Sequence, residues 1–190
     1  MELLLIMDDK KRKILIVALL ALLVLLIVAI VVCVIVINVK KDVEDNKIVP
    51  DYPPQETDPN QSPMDNDPGG TLEIEEGGGG VNVTYIANAT VYLSENRVEL
   101  YYANPSKSTQ DMVIALVLES GETVICRSQR ITPGNQIREL TLDESVKPML
   151  EEAGEGSYNA KFVVGCYDPN TNEKAIVELV SNDILVNVVK

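Results

Sequence analysis

The chain has 190 residues, 29 Asp and Glu against 16 Lys and Arg, a formal net charge of −13, and neither His nor Trp. Without His it lacks Ser–His–Asp and Cys–His nucleophile systems and the imidazole ligands of common zinc and copper sites. So acidic a chain also repels phosphate backbones, which argues against nucleic acid as a partner.

Residues 1–13 end in the basic cluster Lys10, Lys11, Arg12 and Lys13. Either Met1 or Met7 can serve as the start. Residues 14–37 then contain no charged residue, no Gly and no Pro. As a helix the run is about 36 Å long, enough to cross a hydrocarbon core of roughly 30 Å. It is apolar all round, unlike the core helix of a small domain, which keeps a polar face. It is also longer than the apolar region of a secretory signal, and no small-residue cleavage site follows. Cys33 follows bulky Val32 inside the run and reads as an apolar filler rather than a lipidation site. The expectation is one transmembrane helix over residues 14–38. Basic residues abut its N-terminal end more densely than Lys40, Lys41 and Lys47 follow its C-terminal end, so the N-terminus is expected in the cytoplasm.

Residues 39–80 change character. Pro50, Pro53, Pro54, Pro59, Pro63 and Pro68 interrupt helices and ladders, acidic residues recur, and large apolar residues are few. Such a segment is expected to be a disordered acidic tether, closed by a Gly77–Gly80 stop. Asp65-Asn66-Asp67 lies in this tether and lacks the preorganised oxygen cage that calcium needs.

Residues 81–190 alternate short apolar runs with turn signals, as in an all-β sandwich of about seven antiparallel strands. Val98, Leu100 and Tyr102 share one face of a strand. Residues 112–118 are almost wholly apolar, as expected of a central strand covered on both sides or partly so. Thr132-Pro133-Gly134-Asn135 has type II turn order. Residues 143–153 break the pattern and read as one short helix with Asp143 as N-cap and Gly154 as stop. The next strand puts Tyr158, Ala160, Phe162, Val164 and Cys166 on one face, and Ser181-Asn182-Asp183 reads as a bulge in the last.

Gly156-Ser157-Tyr158-Asn159-Ala160 resembles the start of the penultimate strand of immunoglobulin-like domains. There a tyrosine, here Tyr158, closes a corner by hydrogen bonding to upstream backbone. A longer pattern comprises Asn104-Pro105, Leu116, Leu118, Gly121-Glu122, Ser128, Ile131-Thr132-Pro133-Gly134 and Gly156-Ser157-Tyr158. It resembles small membrane-anchored immunoglobulin-like β-sandwich proteins of Gram-positive bacteria, a group with no assigned activity. Gln129 stands after Ser128 where that pattern has Gly. The resemblance implies fold and location, not chemistry.

No P-loop and no GxGxxG occur, and no carboxylate pair stands out from the acidic background. No catalytic residue, metal ligand or cofactor-binding residue is assigned, and no cofactor is expected. Tyr85, Tyr92, Tyr101 and Tyr102 are the aromatic candidates for a carbohydrate platform, but strand and core roles explain them more simply. Asp168-Pro169-Asn170-Thr171-Asn172 reads as a hairpin loop. Asn82-Val83-Thr84, Asn88-Ala89-Thr90 and Asn60-Gln61-Ser62 match the N-glycosylation pattern and carry no meaning in a bacterial chain. Cys126 and Cys166 fall in strands, and two outcomes stand open: a disulfide in an oxidising compartment, or two buried thiols. The expected function is a non-catalytic binding, adhesion or scaffold module outside the cell membrane, with a protein or cell-envelope partner. The alternative is an accessory subunit of an envelope secretion, transport or pilus-like assembly.

Overall fold

The structure is a computed structural model, and it describes residues 9–45, 47–70, 80–176 and 178–190. The expectations for Met1, Met7 and Gly77–Gly79 fall outside these residues. The chain divides into two compact units, Met1–Asn46 and Lys47–Lys190.

The first unit is the helix α1 (Asp9–Asp45). Its stretch Leu15–Val34 has a mean hydropathy of 3.7, is nowhere buried, and is long and apolar enough to cross a membrane. The helix runs past residue 38 because nothing before Pro50 breaks it.

The second unit is built almost entirely of strands: β1 (Ser62–Pro63), β2 (Thr84–Tyr85), β3 (Asn88–Tyr92), β4 (Arg97–Asn104), β5 (Asp111–Leu118), β6 (Thr123–Arg127), β7 (Asn135–Thr141), β8 (Gly156–Tyr167) and β9 (Leu179–Val189). One short helix, α2 (Lys147–Ala153), lies between β7 and β8. The strands form one nine-stranded sheet in the order β1-β7-β4-β3-β9-β8-β5-β6, with β2 added on β4. The sheet is mixed: β3 pairs parallel with β9 (Ala89 opposite Val186), and the other strand pairs are antiparallel. The expectation of purely antiparallel strands is corrected here. β3 and β9 are joined by the whole intervening domain, and only such a long crossover lets neighbouring strands run the same way.

The sheet curls. β4 and β8 are separated by β3 and β9, so a flat sheet would hold them about 14 Å apart at 4.7–4.9 Å per step. Yet the rings of Tyr102 on β4 and Phe162 on β8 meet edge to face with centroids 5.3 Å apart. The concave face therefore closes on a single core. Val98, Leu100 and Tyr102 enter it from β4, Met112, Ile114, Leu116 and Leu118 from β5, and Ala160, Phe162, Val164 and Cys166 from β8. Val146 and Leu150 bring α2 against the same core.

Several turn expectations have their local cause in view. Gly134 sits at φ 81°, the conformation that a type II turn needs at its third residue. Between Ala160 and Phe162, β9 advances from Ile184 to Ser181, one residue more than β8, and Asp183 adopts φ 61°. That is the bulge at Ser181-Asn182-Asp183. The short helix departs from expectation. Its N-cap is Val146, not Asp143, and Pro148 occupies its first turn, where a missing N–H costs nothing. Asp143 instead closes the preceding turn, its Oδ1 accepting from the Ser145 amide at 2.9 Å. Gly154 ends the helix at φ 84°.

The largest departure concerns the tether. Residues 47–70 are not a free coil; they form a strap against the sheet, ending in β1 and the turns after it. Composition alone missed this, because the apolar surface that holds the strap belongs to β5 and β8, not to the strap.

Candidate interaction groove

β5 is buried along its entire length. Its inward side chains enter the main core, while Val113, Ala115 and Val117 point to the outer face. There they form a second apolar cluster with Val163 and Tyr167, and the strap covers it with Val49, flanked by Ile48. The floor is thus a shallow apolar groove over β5 and β8, and Val49 is the knob set into it.

Around that knob, donors from the sheet grip the main chain of the strap. The Arg127 guanidinium donates through Nε to the Ile48 carbonyl at 2.9 Å and through Nη2 to that of Lys47. The Tyr167 hydroxyl donates to the Pro50 carbonyl at 2.6 Å. Lys174 Nζ reaches the Val49 carbonyl at 3.4 Å. These contacts are to main-chain carbonyls of a bent segment rather than to particular side chains. Proline suits such a site, since it presents a carbonyl and has no N–H to satisfy. Tyr167 reaches Pro50 because of Gly165. A Cβ at position 165 would lie 2.7 Å from the Tyr167 hydroxyl and 3.1 Å from its ring.

Further along, Arg130 donates to the Pro54 carbonyl at 3.0 Å and to Asn172 Oδ1 at 2.7 Å, and its Nη1 lies 3.4 Å from Asp111 Oδ2. Burial pushes the Asp111 carboxyl above its ordinary value, and the Arg130 guanidinium pulls the other way. Asp58, itself buried, accepts from the Gln129 amide at 2.7 Å and the Asn60 amide at 2.9 Å, and its own amide donates to the Arg130 carbonyl. Beyond β1, Asp65 accepts from Arg138 at 2.8 Å and from the Gln136 amide at 3.3 Å. Asp67 accepts from the backbone and hydroxyl of Ser106 and from the Gly69 amide. The strap thus runs from the outer face of β5 and β8, past the segment between β6 and β7, to the β7 edge. It ties together strands that stand at opposite ends of the sheet order. Arginines that look scattered in the sequence (Arg127, Arg130 and Arg138) all face it.

The sequence-predicted positions fall elsewhere. Cys126 and Cys166 are buried free thiols, and the disulfide alternative is corrected. Cys126 pairs with Leu116 and Cys166 with Met112, on opposite sides of β5. Four residues along the strand and two strand spacings across it put their Cα atoms on the order of 16 Å apart, where a bridge needs less than about 7 Å. Burial pushes the Cys126 thiol up to about 12 and the Cys166 thiol up to about 11, so neither is a nucleophile near neutrality. The Tyr158 hydroxyl donates to the Gly154 carbonyl at 3.0 Å, four residues upstream.

The tyrosines are not brought together as one flat platform. Tyr102 is buried, and Tyr85 stacks on it with centroids 6.1 Å apart. Arg97 covers the Tyr92 ring at 4.2 Å, and Arg138 approaches the Tyr101 ring at 5.2 Å. A second concavity of about 270 Å³ lies outside β3 and β4, lined by Ile86, Asn88, Thr90, Glu99, Tyr101 and Arg138. Among the described residues, no group of three or more Cys, Asp or Glu side chains is placed to hold a metal ion.

The chain matches no family model, no curated protein and no solved structure. One signal for the groove was present in the sequence. A seven-residue run, Met112–Leu118, with apolar side chains on both faces needs a cover on each side, and the second cover had to come from some other segment.

Proposed function

We propose that this chain is a single-pass membrane protein whose N-terminus is cytoplasmic and whose β unit is exported as an immunoglobulin-like module that acts by binding. The observation that carries the membrane part is Leu15–Val34, an apolar stretch with no burial against the protein. A side chain there must find another apolar phase, and the bilayer supplies one. Strand order supports the fold reading. β7-β4-β3 makes one group and β9-β8-β5-β6 the other, with β3 shared between them: antiparallel to β4, parallel to β9. An immunoglobulin-like sandwich distributes its strands in this way, and the Tyr158 hydroxyl bond to Gly154 matches its tyrosine corner.

The binding role rests on what the unit offers: an outer apolar face of Val113, Ala115 and Val117, edged by the donors Arg127, Tyr167 and Lys174, that holds a main-chain segment. Its partner is a protein or an envelope component. A second reading is an accessory subunit of an envelope assembly, in which the apolar stretch Leu15–Val34 makes the contacts. Proteolysis of intact cells tests the placement. An external β unit is digested while a fragment containing α1 stays in the membrane; a C-terminus protected until the cells are lysed overturns the proposal. Replacing residues 14–37 with an unrelated apolar helix separates the two roles, since only the accessory subunit loses function with an intact β unit.

A further inference from the structure

The strap has the composition of a free tether and the position of a docked one. Of its side chains only those of Val49, Pro53 and Asp58 are buried, whereas every residue of β5 beneath it is buried. No strap residue belongs to the main core around Tyr102 and Phe162; Val49 belongs to the separate outer cluster. To the strand ladders the strap contributes Ser62 and Pro63, at the very end of the strand order, and beyond them one isolated bridge, Thr57 to Arg130. Lifting it therefore breaks none of the ladders from β3 to β9 and removes nothing from the main core. Segments with few buried apolar contacts are those that open below the global unfolding free energy.

We propose that the 47–70 strap is a releasable latch, opening as a unit while the sheet stays folded. The Val49 knob and the Arg127 grip on the carbonyls of residues 47 and 48 are its catch. Released, the strap from Lys47 to Gly70 can span about 80 Å. The sequence-based tether and the docked strap are then two states of one segment. Opening also bares Val113, Ala115 and Val117 together with the donors of Arg127, Tyr167 and Lys174. This inference extends the tethered-module reading but depends on neither the compartment nor the partner.

Amide hydrogen exchange on the full-length chain in detergent micelles tests it. The Asp58 and Met64 amides, bonded to the carbonyls of Arg130 and Gly134, report on the strap, and the amides of β4 and β8 report on the sheet. The strap amides are expected to exchange together, at least about tenfold faster than those of β8. Val49→Asp, and more mildly Arg127→Ala, should speed the strap amides further and leave β4 and β8 unchanged. A common exchange rate for strap and sheet overturns the latch. So does loss of β4 and β8 protection in both variants, because the strap would then be an integral part of the fold. Failure of the export reading would appear in cell proteolysis and leave this exchange pattern untouched.

Discussion

Gly165 shows how one absent methyl group shapes the groove. It lies on β8 opposite Val113, and the Tyr167 ring folds back across the space a side chain would fill. Gly165→Ala puts a Cβ 2.7 Å from the Tyr167 hydroxyl, so the ring must leave and the Pro50 bond is lost. Overpacking of this kind costs about 1–3 kcal/mol, and the lost hydrogen bond about 1 kcal/mol more. Chemical denaturation of the full chain is expected to show that drop, and Tyr167→Phe only the smaller part of it. At this scale the sequence was partly legible. Alternation placed Tyr158, Phe162 and Cys166 on one face of a strand, because a strand's side-chain period is local. Whether Cys126 meets Cys166 is not local. It depends on two ladder registers on either side of β5, and those are set by the fit of whole strands.

Among the elements, the strap responds to acid in a way the ladders do not. Hydrogen bonds from the Gln136 amide and then Arg138 hold the Asp65 carboxyl below its ordinary value. Burial pushes Asp67 up, but the Gly69 and Ser106 hydrogen bonds outweigh it and leave Asp67 lowered too. A lowered carboxylate stabilises the docked state above its ordinary value near 3.8, and that contribution is lost as pH falls through the lowered value. Asp111 works with the opposite sign. Its raised value means that it neutralises sooner as pH falls, and that protonation favours the folded chain rather than weakening it. Exchange measured from pH 7 down to about pH 3 should therefore show the Met64 amide losing protection before the amides of β4 and β8. Equal loss in all three would mean that these carboxylates do not hold the strap. The strands after residue 80 were legible from period and turn chemistry, though β1, inside the expected tether, was not, and the apolar run of β5 pointed to cover on both faces or on part of them. What covered the outer one was not legible. Residues 47–70 are polar and proline-rich, and the free energy that docks them comes from apolar surface carried by β5 and β8.

The whole molecule joins two kinds of solvation. Leu15–Val34 needs an apolar phase, and the Lys47–Lys190 unit closes its own core. A chain lacking residues 1–46 is expected to stay soluble and monomeric without detergent, as read by light scattering, while the full chain stays with the membrane pellet after alkaline washing. Beginning the chain at Val81 instead removes the strap and bares Val113, Ala115 and Val117, so that shorter form should self-associate. Equal behaviour of the two truncated chains would show that the outer groove of β5 needs no cover.

The apolar helix, the strand periods, the Gly134 turn and the bulge near Asp183 were decided by the sequence itself, because each depends on neighbours within a few residues. Three features were decided only by tertiary structure: the parallel pairing of β3 with β9, the separation of the two buried thiols, and the docking of the strap. Each is a contact between segments far apart in the chain. Its energy is a property of two surfaces meeting, and neither surface carries a local mark of the other.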